Sequence, residues 1–192
     1  MKILKTFTAI LLTFTLMSTQ AQTGIPEGFN KGTIVLADGS SLTGYLKDNI
    51  HRDASVTFIN ETDKKKKEYD GSSLTSVQFN NTKFVCIGGD FFKVISEGEL
   101  FFLQKASNAE GKVFYNGLEN VVSNGTEGKS GDYFICNNSN KALQKISKKN
   151  VEEVAANSFA GCIAAIEKAK AVNGDIAKVK DAVDIFNSRN NK

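Results

Sequence analysis

FFKVISEGELFFLQK, residues 91–105, contains two strongly apolar runs on either side of Glu97-Gly98. Aromatic and β-branched residues favour strands, and glycine adopts the positive φ of tight hairpin turns at little cost. The pattern therefore predicts two antiparallel strands joined by a short turn.

Similar turn signals recur about every ten residues along the central part of the chain. They are Asp38-Gly39, Asp70-Gly71, Asn80-Asn81, Gly88-Gly89, Glu110-Gly111, Asn116-Gly117, Asn124-Gly125 and Glu127-Gly128. The intervals are too short for the crossover helices that parallel strands require. The sequence predicts one antiparallel β domain over residues 32–146, a meander that forms a barrel or a sandwich.

The composition changes from about Ser147, where alanine becomes frequent and apolar residues recur at three- and four-residue spacing. Three helical faces follow, formed by Val151, Val154 and Ala155, by Phe159, Ile163 and Ile166, and by Ile176, Val179, Val183 and Phe186. Ser158 and Asp175 are the expected caps of the second and third helices. The predicted fold class is α+β, mainly β, with about three C-terminal helices over 147–188 packed on the same domain and a tail at 189–192.

The N-terminus has the features of a secretory signal peptide over residues 1–21. Lys2 and Lys5 precede the short apolar run 9–17, and the small residues Thr19 and Ala21 come before the expected cleavage site. The run is shorter than a bilayer-spanning helix, although a retained N-terminal anchor is the alternative. We expect a flexible lead-in at 22–31 and an exported, soluble, periplasmic or extracellular protein without a membrane span after cleavage. No cysteine lies near the cleavage site, so a lipoprotein is not expected.

The charge balance argues against nucleic acid as a partner. The first 21 residues carry two lysines and no acid, which lowers the formal net charge from +3 to +1 after cleavage. Nucleic-acid binding requires clustered basic residues. The one basic run, Lys64 to Lys67, lies between Asp63 and Glu68 and is typical of a solvated turn or strand edge.

The three cysteines, Cys86, Cys136 and Cys162, have apolar neighbours and are expected to be buried free thiols. A Cys136–Cys162 disulfide is the alternative that an oxidising compartment permits. The chain has no C-x-x-C spacing, so no redox or zinc motif is present.

The segment GTIVLADGSSLTGYLK, residues 32–47, resembles a phosphate-binding or calcium-binding loop only in part. Tyr45-Leu46 stands where a P-loop has Lys-Ser/Thr, and no closing glutamate is present for calcium. A hairpin that turns at Asp38-Gly39 explains the segment better, with Ile34, Leu36, Leu42 and Leu46 facing the core. Gly44 then marks a bulge or a close contact with a packed side chain.

No catalytic constellation is visible. His51 is the only histidine and is expected at the surface, so we expect neither an enzyme, a metal site nor a cofactor. A hydrolase that uses scattered carboxylates remains a further hypothesis, because carboxylate separation is a three-dimensional quantity. If the barrel is closed, an apolar small-molecule carrier is the alternative function, with a cavity lined by Phe84, Phe92, Phe101, Phe102 and Phe114.

Three motifs carry a family resemblance over residues 31–188. They are G-x-I-x-L-x-D-G-x-x-L-x-G-Y from Gly32, F-x-K-V-I-x-E-G-E-L from Phe91, and the cysteine-bearing helical segment followed by D-x-x-x-x-F-N from Asp181. The chain resembles a family of small, functionally uncharacterised exported proteins of Gram-negative bacteria, although Gly161 precedes Cys162 where that family more often has aspartate. The resemblance implies one exported β-rich domain with C-terminal helices and assigns no catalytic residue. We expect a binding or interaction module whose partner is an envelope protein or a surface polymer.

Overall fold

A computed structural model describes residues 25–115 and 118–189 of the chain. The predicted signal peptide, the first residues of the lead-in and the last three residues of the tail lie outside the described residues.

Twelve strands form within the described residues, ten of them in one antiparallel sheet and two in a separate hairpin. The strands are β1 (Asn30–Leu36), β2 (Ser41–Asn49), β3 (Ser55–Asn60), β4 (Lys66–Asp70), β5 (Leu74–Phe79), β6 (Thr82–Ile87), β7 (Asp90–Ser96), β8 (Leu100–Lys105), β9 (Val113–Tyr115), β10 (Asn120–Val122), β11 (Tyr133–Asn137) and β12 (Leu143–Ile146). The order in the large sheet is β12-β11-β8-β7-β6-β5-β1-β2-β3-β4, and β9 pairs with β10. The predicted α+β, mainly β class and the predicted β7–β8 hairpin are confirmed.

The sheet curls without closing into a barrel within the part of the chain that the structure describes. β12 and β4 lie at its two ends, and each pairs with a single strand. An isolated antiparallel bridge between Gly71 and Gly89 brings the end of β4 beside the turn between β6 and β7. The curl therefore brings the end of β4 near the middle of the sheet. The outer edge of β4 still pairs with no strand among these residues.

Both faces of the sheet are covered at its centre. Phe91 and Phe102 point to one face and the following residues, Phe92 and Leu103, to the other, because successive side chains of a strand alternate. All four are fully buried. The helices pack on the Phe102 face. On the other face the segment that links β8 to β11 lies over the sheet, with Gly128 against the ring of Phe134.

A four-residue helix follows β2, and three longer helices follow the sheet. They are α1 (Ile50–Asp53), α2 (Val151–Ser158), α3 (Ile163–Lys170) and α4 (Val179–Ser188), with a 3-10 turn at Ile176–Lys178. The predicted buried face of α2 is confirmed, since Val151, Val154 and Ala155 are buried. Of the face predicted for the last helix, Val179, Val183 and Phe186 are buried on α4, whereas Ile176 lies in the 3-10 turn and is only partly buried.

The predicted start of the second helix is wrong. Ser158 is the last residue of α2, and α3 begins at Ile163, which is largely exposed. Gly161 takes a left-handed φ of 79° between the two helices, so the helical period is interrupted there. Asp175 precedes the 3-10 turn and makes no side-chain capping hydrogen bond.

The first hairpin forms as predicted, with Gly39 at a φ of 85° in its turn. Ile34 and Leu46 are fully buried, and Leu36 and Leu42 pack against the same cluster. Gly44 does not form a bulge, because it pairs in register with Gly32 and Asn60. A Cβ at this position would lie 2.3 Å from the Ile59 carbonyl oxygen, so the close contact explains the glycine.

Two of the resemblance motifs meet where α4 packs on the start of β8. The side-chain oxygen of Asn187 accepts from the Leu100 N–H at 3.0 Å, and its Nδ2 donates to the Leu100 carbonyl at 2.8 Å. A Cβ at position 98 would stand 2.5 Å from the Cγ of the same Asn187 side chain, so Gly98 allows the close contact. The E-G-E-L turn and the F-N helix end therefore form one joint between sheet and helices.

All three cysteines are free, so the structure contains no Cys136–Cys162 disulfide. Cys136 is buried, whereas Cys86 and Cys162 are only partly buried. Among the described helices, none combines the length and apolar character needed to cross a membrane.

Candidate binding cleft beside the β9–β10 hairpin

A buried carboxylate anchors the segment that links β8 to β11. Asp90 is fully buried, and its Oδ1 accepts hydrogen bonds from Ser107 Oγ at 2.9 Å and from the Ala109 N–H at 2.8 Å. Its Oδ2 accepts from the N–H and the Oγ1 of Thr126, both at 2.8 Å. One side chain therefore binds both ends of the excursion that contains the β9–β10 hairpin.

Lys105 completes this anchor from the neighbouring strand. Its Nζ lies 3.0 Å from Asp90 Oδ2, and neither side chain is exposed to solvent. The same ammonium donates to the carbonyl oxygens of Thr126 at 2.6 Å and Gly128 at 3.2 Å. Buried charges are stable only when they are paired and hydrogen-bonded, and this pair satisfies both conditions.

The environment keeps Asp90 ionised. Burial raises the pKa of Asp90, but the hydrogen bonds from Thr126, Lys105 and Ala109 outweigh it and hold this pKa below the ordinary value. Across the described residues, every buried side-chain nitrogen and oxygen has a hydrogen-bond partner. The Asp90–Lys105 pair thus serves to position the chain, since no group of the pair is left over for a ligand.

The anchored hairpin carries most of the large apolar side chains that are exposed in the described residues. Seven large apolar side chains are strongly exposed in the described residues, and five of them lie on this short segment. The five are Val113, Tyr115, Leu118, Val121 and Val122. Clustered exposed apolar side chains are typical of interaction sites, and the hairpin is held in place by the buried pair at its base.

A cleft of about 1060 Å³ separates this hairpin from the end strand of the sheet. One wall is Lys67–Asp70 of β4, with Asp53, Ser55 and Ser73 beside it, and the other wall is Lys112–Tyr115. β9 lines the cleft, whereas β10 lies behind it. Lys112 Nζ donates to the Arg52 carbonyl at 3.0 Å and so connects the hairpin to α1 at one end of the cleft.

The acidic groups in the cleft already have partners. Glu68 accepts from Ser55 Oγ at 2.6 Å, and Asp70 accepts from the Ser73 N–H at 2.9 Å. Asp53 pairs with the arginine that precedes it. Within residues 25–115 and 118–189, no group of three or more histidine, cysteine or acidic side chains is placed to hold a metal ion. Beside these carboxylates, the cleft offers a ligand main chain, apolar side chains and the ammonium groups of Lys67 and Lys112.

The five phenylalanines predicted to line a carrier cavity lie in different places. Phe84 belongs to the cluster inside the curl, Phe92 and Phe101 to the cluster on the opposite face, and Phe102 to the cluster beneath the helices. These four are buried, and Phe114 lines the cleft. Only Phe92 and Phe101 share a cluster, so the carrier function stays a prediction without a common cavity.

The other sequence-based site predictions concern the surface. His51 is exposed on α1, as expected. Lys66 and Lys67 lie on β4, which is an end strand, so the interpretation of this run as a strand edge is confirmed.

No protein-family model matches the chain, and neither a curated protein nor a solved structure is significantly similar to it. The family resemblance therefore stays a prediction.

The sequence analysis missed Asp90, Lys105 and the cleft. A signal for the pair was present, because Asp90 and Lys105 stand at the two open ends of the hairpin that turns at Glu97-Gly98. The pairing of Phe92 with Lys105 then brings the two charges together on one face. No comparable signal predicts that β4 and β9 line the same cleft, because the two strands are far apart in the sequence and do not pair.

Proposed function

We propose that this chain is an exported protein-binding module whose partner docks in the cleft between β4 and β9. The N-terminal charge and apolar pattern support export. The observation that carries the binding function is the concentration of exposed apolar side chains on a hairpin whose base is fixed by a buried ion pair; two of these side chains, Val113 and Tyr115, line the cleft. Burying such side chains against a partner contributes roughly 1.5–3 kcal/mol each.

The chemistry of the cleft favours a protein over other ligands. Its carboxylates are already hydrogen-bonded, and its apolar side chains stand beside strand main chain. A small apolar ligand requires an enclosed site, whereas this cleft lies open between two strands.

Site-specific photo-crosslinking in the native host tests the proposal. A benzophenone amino acid is placed at Val113 in the cleft and, as the matched control, at Glu152 on the exposed side of α2. We expect a discrete protein adduct from the Val113 position and none from the Glu152 position. The same adducts from both positions, no adduct, or an adduct with lipid alone at Val113 would overturn the proposal.

A further inference from the structure

Consecutive residues of two strands form the walls of the cleft. All of Lys67–Asp70 on one side and all of Lys112–Tyr115 on the other line it. Because successive side chains of a strand point to opposite faces, a cleft against a strand's face would be lined by alternate residues only. The lining by consecutive residues places the cleft along the edges of the two strands, and Ser55 of β3 shows that it also extends over the adjoining face of β4.

Both edges lack a strand partner in the described part of the chain. β3 is the one strand that pairs with β4, and β10 the one that pairs with β9. The Asn60 N–H donates to the Lys65 carbonyl at 3.3 Å, and the register continues with Ile59 opposite Lys66. Since hydrogen-bonded and non-hydrogen-bonded pairs alternate, the N–H and C=O of Lys66 and Glu68 point away from β3.

The size of the cleft fits one additional strand. A four-residue strand is about 13 Å long, occupies about 4.8 Å in the hydrogen-bonding direction and is about 10 Å thick, which gives roughly 600 Å³. The cleft measures about 1060 Å³. It therefore has room for such a strand and for the side chains at its ends.

We propose that an extended segment of the partner protein inserts as a strand between β4 and β9 and joins the hairpin to the main sheet. This inference rests on the proposed function and names the kind of partner that the same cleft takes. Strand addition of this type obtains its affinity from main-chain hydrogen bonds and its specificity from alternate side chains.

The charges beside the cleft define the chemistry of the segment. Lys64 to Lys67 are all exposed where β4 begins, and Lys112 belongs to the opposite wall. These five ammonium groups outnumber the carboxylates of Glu68 and Asp70, which accept hydrogen bonds from Ser55 and Ser73. The opposite wall contributes the apolar side chains of β9. A segment that alternates apolar and acidic residues complements both walls.

A second copy of this chain fits the edge less well. A strand inserted between β4 and β9 needs both of its edges free, whereas β4 of a second copy already pairs with its own β3. The partner is therefore a different protein.

Fluorescence anisotropy with a labelled Val-Glu-Val-Glu-Val-Glu-Val peptide tests the inference on the full mature chain. Two variants at the same position of the cleft wall separate the side chain from the main chain: Glu68→Ala removes the carboxylate, and Glu68→Pro removes the carboxylate and the outward N–H. Proline is tolerated on an edge strand where its nitrogen faces away from the partner strand. We expect Glu68→Pro to bind about three- to tenfold more weakly than Glu68→Ala, because it loses one hydrogen bond.

The competing outcomes are distinguishable. Equal affinity of folded Glu68→Pro and Glu68→Ala, or equal affinity for a Val-Lys-Val-Lys-Val-Lys-Val peptide, would overturn strand addition at β4. A dimer in sedimentation velocity that the acidic peptide dissociates would identify a second copy as the occupant and also overturn the inference. Failure of the peptide to bind, with the protein adduct at Val113 still present, overturns the strand mechanism and leaves the proposed function standing.

Discussion

Asp90 and Lys105 form an ion pair of 3.0 Å in which neither side chain is exposed, and this pair lies under both ends of the segment that carries the β9–β10 hairpin. A buried ion pair adds little net stability compared with a well-packed apolar pair, because both charges lose their hydration. Its effect here is to fix the position of the hairpin, which can pack on the sheet only where the Asp90 carboxylate and the Lys105 ammonium both have their hydrogen-bond partners. The cleft between β4 and β9 depends on that placement.

The first prediction concerns the loss of the carboxylate charge. Asp90→Asn leaves the Lys105 ammonium buried without a counter-charge, and we expect the free energy of unfolding to fall by about 3–5 kcal/mol. Urea unfolding followed by circular dichroism measures it. The matched control is Asp181→Asn, whose carboxylate pairs with Lys168 at the surface and should cost less than about 1 kcal/mol. Equal costs for the two variants would contradict a special role for the buried pair.

A double-mutant cycle completes this test. Lys105→Met should destabilise the wild-type chain more than it destabilises the Asp90→Asn chain, because the second variant has already lost the charge that Lys105 balances. Additive costs would mean that the two side chains do not interact.

The second prediction is a loss of stability in acid. Asp90 and Asp132 both have a pKa below the ordinary value: burial raises each pKa, but hydrogen bonds from Thr126 and Lys105 at Asp90, and from Lys145 at Asp132, outweigh it. A carboxyl group whose pKa is lowered by folding stabilises the protein above its unfolded pKa, about 3.9. That contribution is lost as the pH falls through the folded pKa.

We therefore expect the urea midpoint to be constant between about pH 6 and pH 5 and to fall below about pH 4. The fall should be shallower in Asp90→Asn, which has lost one of the titrating groups. An equally steep fall in wild type and Asp90→Asn would show that Asp90 does not contribute to it.

The third prediction concerns the joint between α4 and β8. Asn187→Ala removes both hydrogen bonds to Leu100 and should cost about 1–3 kcal/mol of unfolding free energy. Gly98→Ala places a Cβ against the Asn187 side chain and should cost a similar amount. In the Asn187→Ala background the cost of Gly98→Ala should shrink, because the clashing side chain is gone. An undiminished cost would place the strain of Gly98→Ala elsewhere.

The fourth prediction concerns the thiols. Burial raises the pKa of Cys86 and Cys136, with repulsion from Asp70 adding to the effect at Cys86. Both should react slowly with iodoacetamide at pH 8, since the thiolate is the reactive form. Protein denatured without reductant should titrate three thiols per chain with Ellman's reagent. A single thiol would reveal a disulfide.

The sequence predicted those parts of the fold that depend on residues close together in the chain. The hairpins at Glu97-Gly98 and Asp38-Gly39 form as expected, because turn residues and flanking apolar runs are local properties. Gly39 takes the expected positive φ, whereas Gly98 does not and is explained by the close approach of Asn187. The start of the second helix is misplaced at Ser158, because the apolar spacing continues through the non-helical turn between α2 and α3. The positive φ of Gly161 interrupts the helix there, and apolar spacing does not reveal it.

The candidate cleft could not be predicted in the same way. Glu68 and Phe114 come to the same cleft through sheet curl and a buried ion pair, and both are long-range effects. In the sequence, Asp90 and Lys105 resemble ordinary surface charges. Only a comparison of their positions, both at the open end of one hairpin, indicates that they pair. The five phenylalanines do not share the predicted cavity. Residue type alone does not specify on which face of a curled sheet a side chain lies.

Amide hydrogen exchange measured by NMR, residue by residue, tests the central claim that β4 and β9 receive a strand. With the Val-Glu-Val-Glu-Val-Glu-Val peptide near saturation, the account predicts that the outward amides of Lys66 and Glu68 exchange markedly more slowly, together with amides of β9. The amides of β12, at the other end of the sheet, should be unchanged. Bound peptide with unchanged exchange at Lys66 and Glu68 would contradict the account.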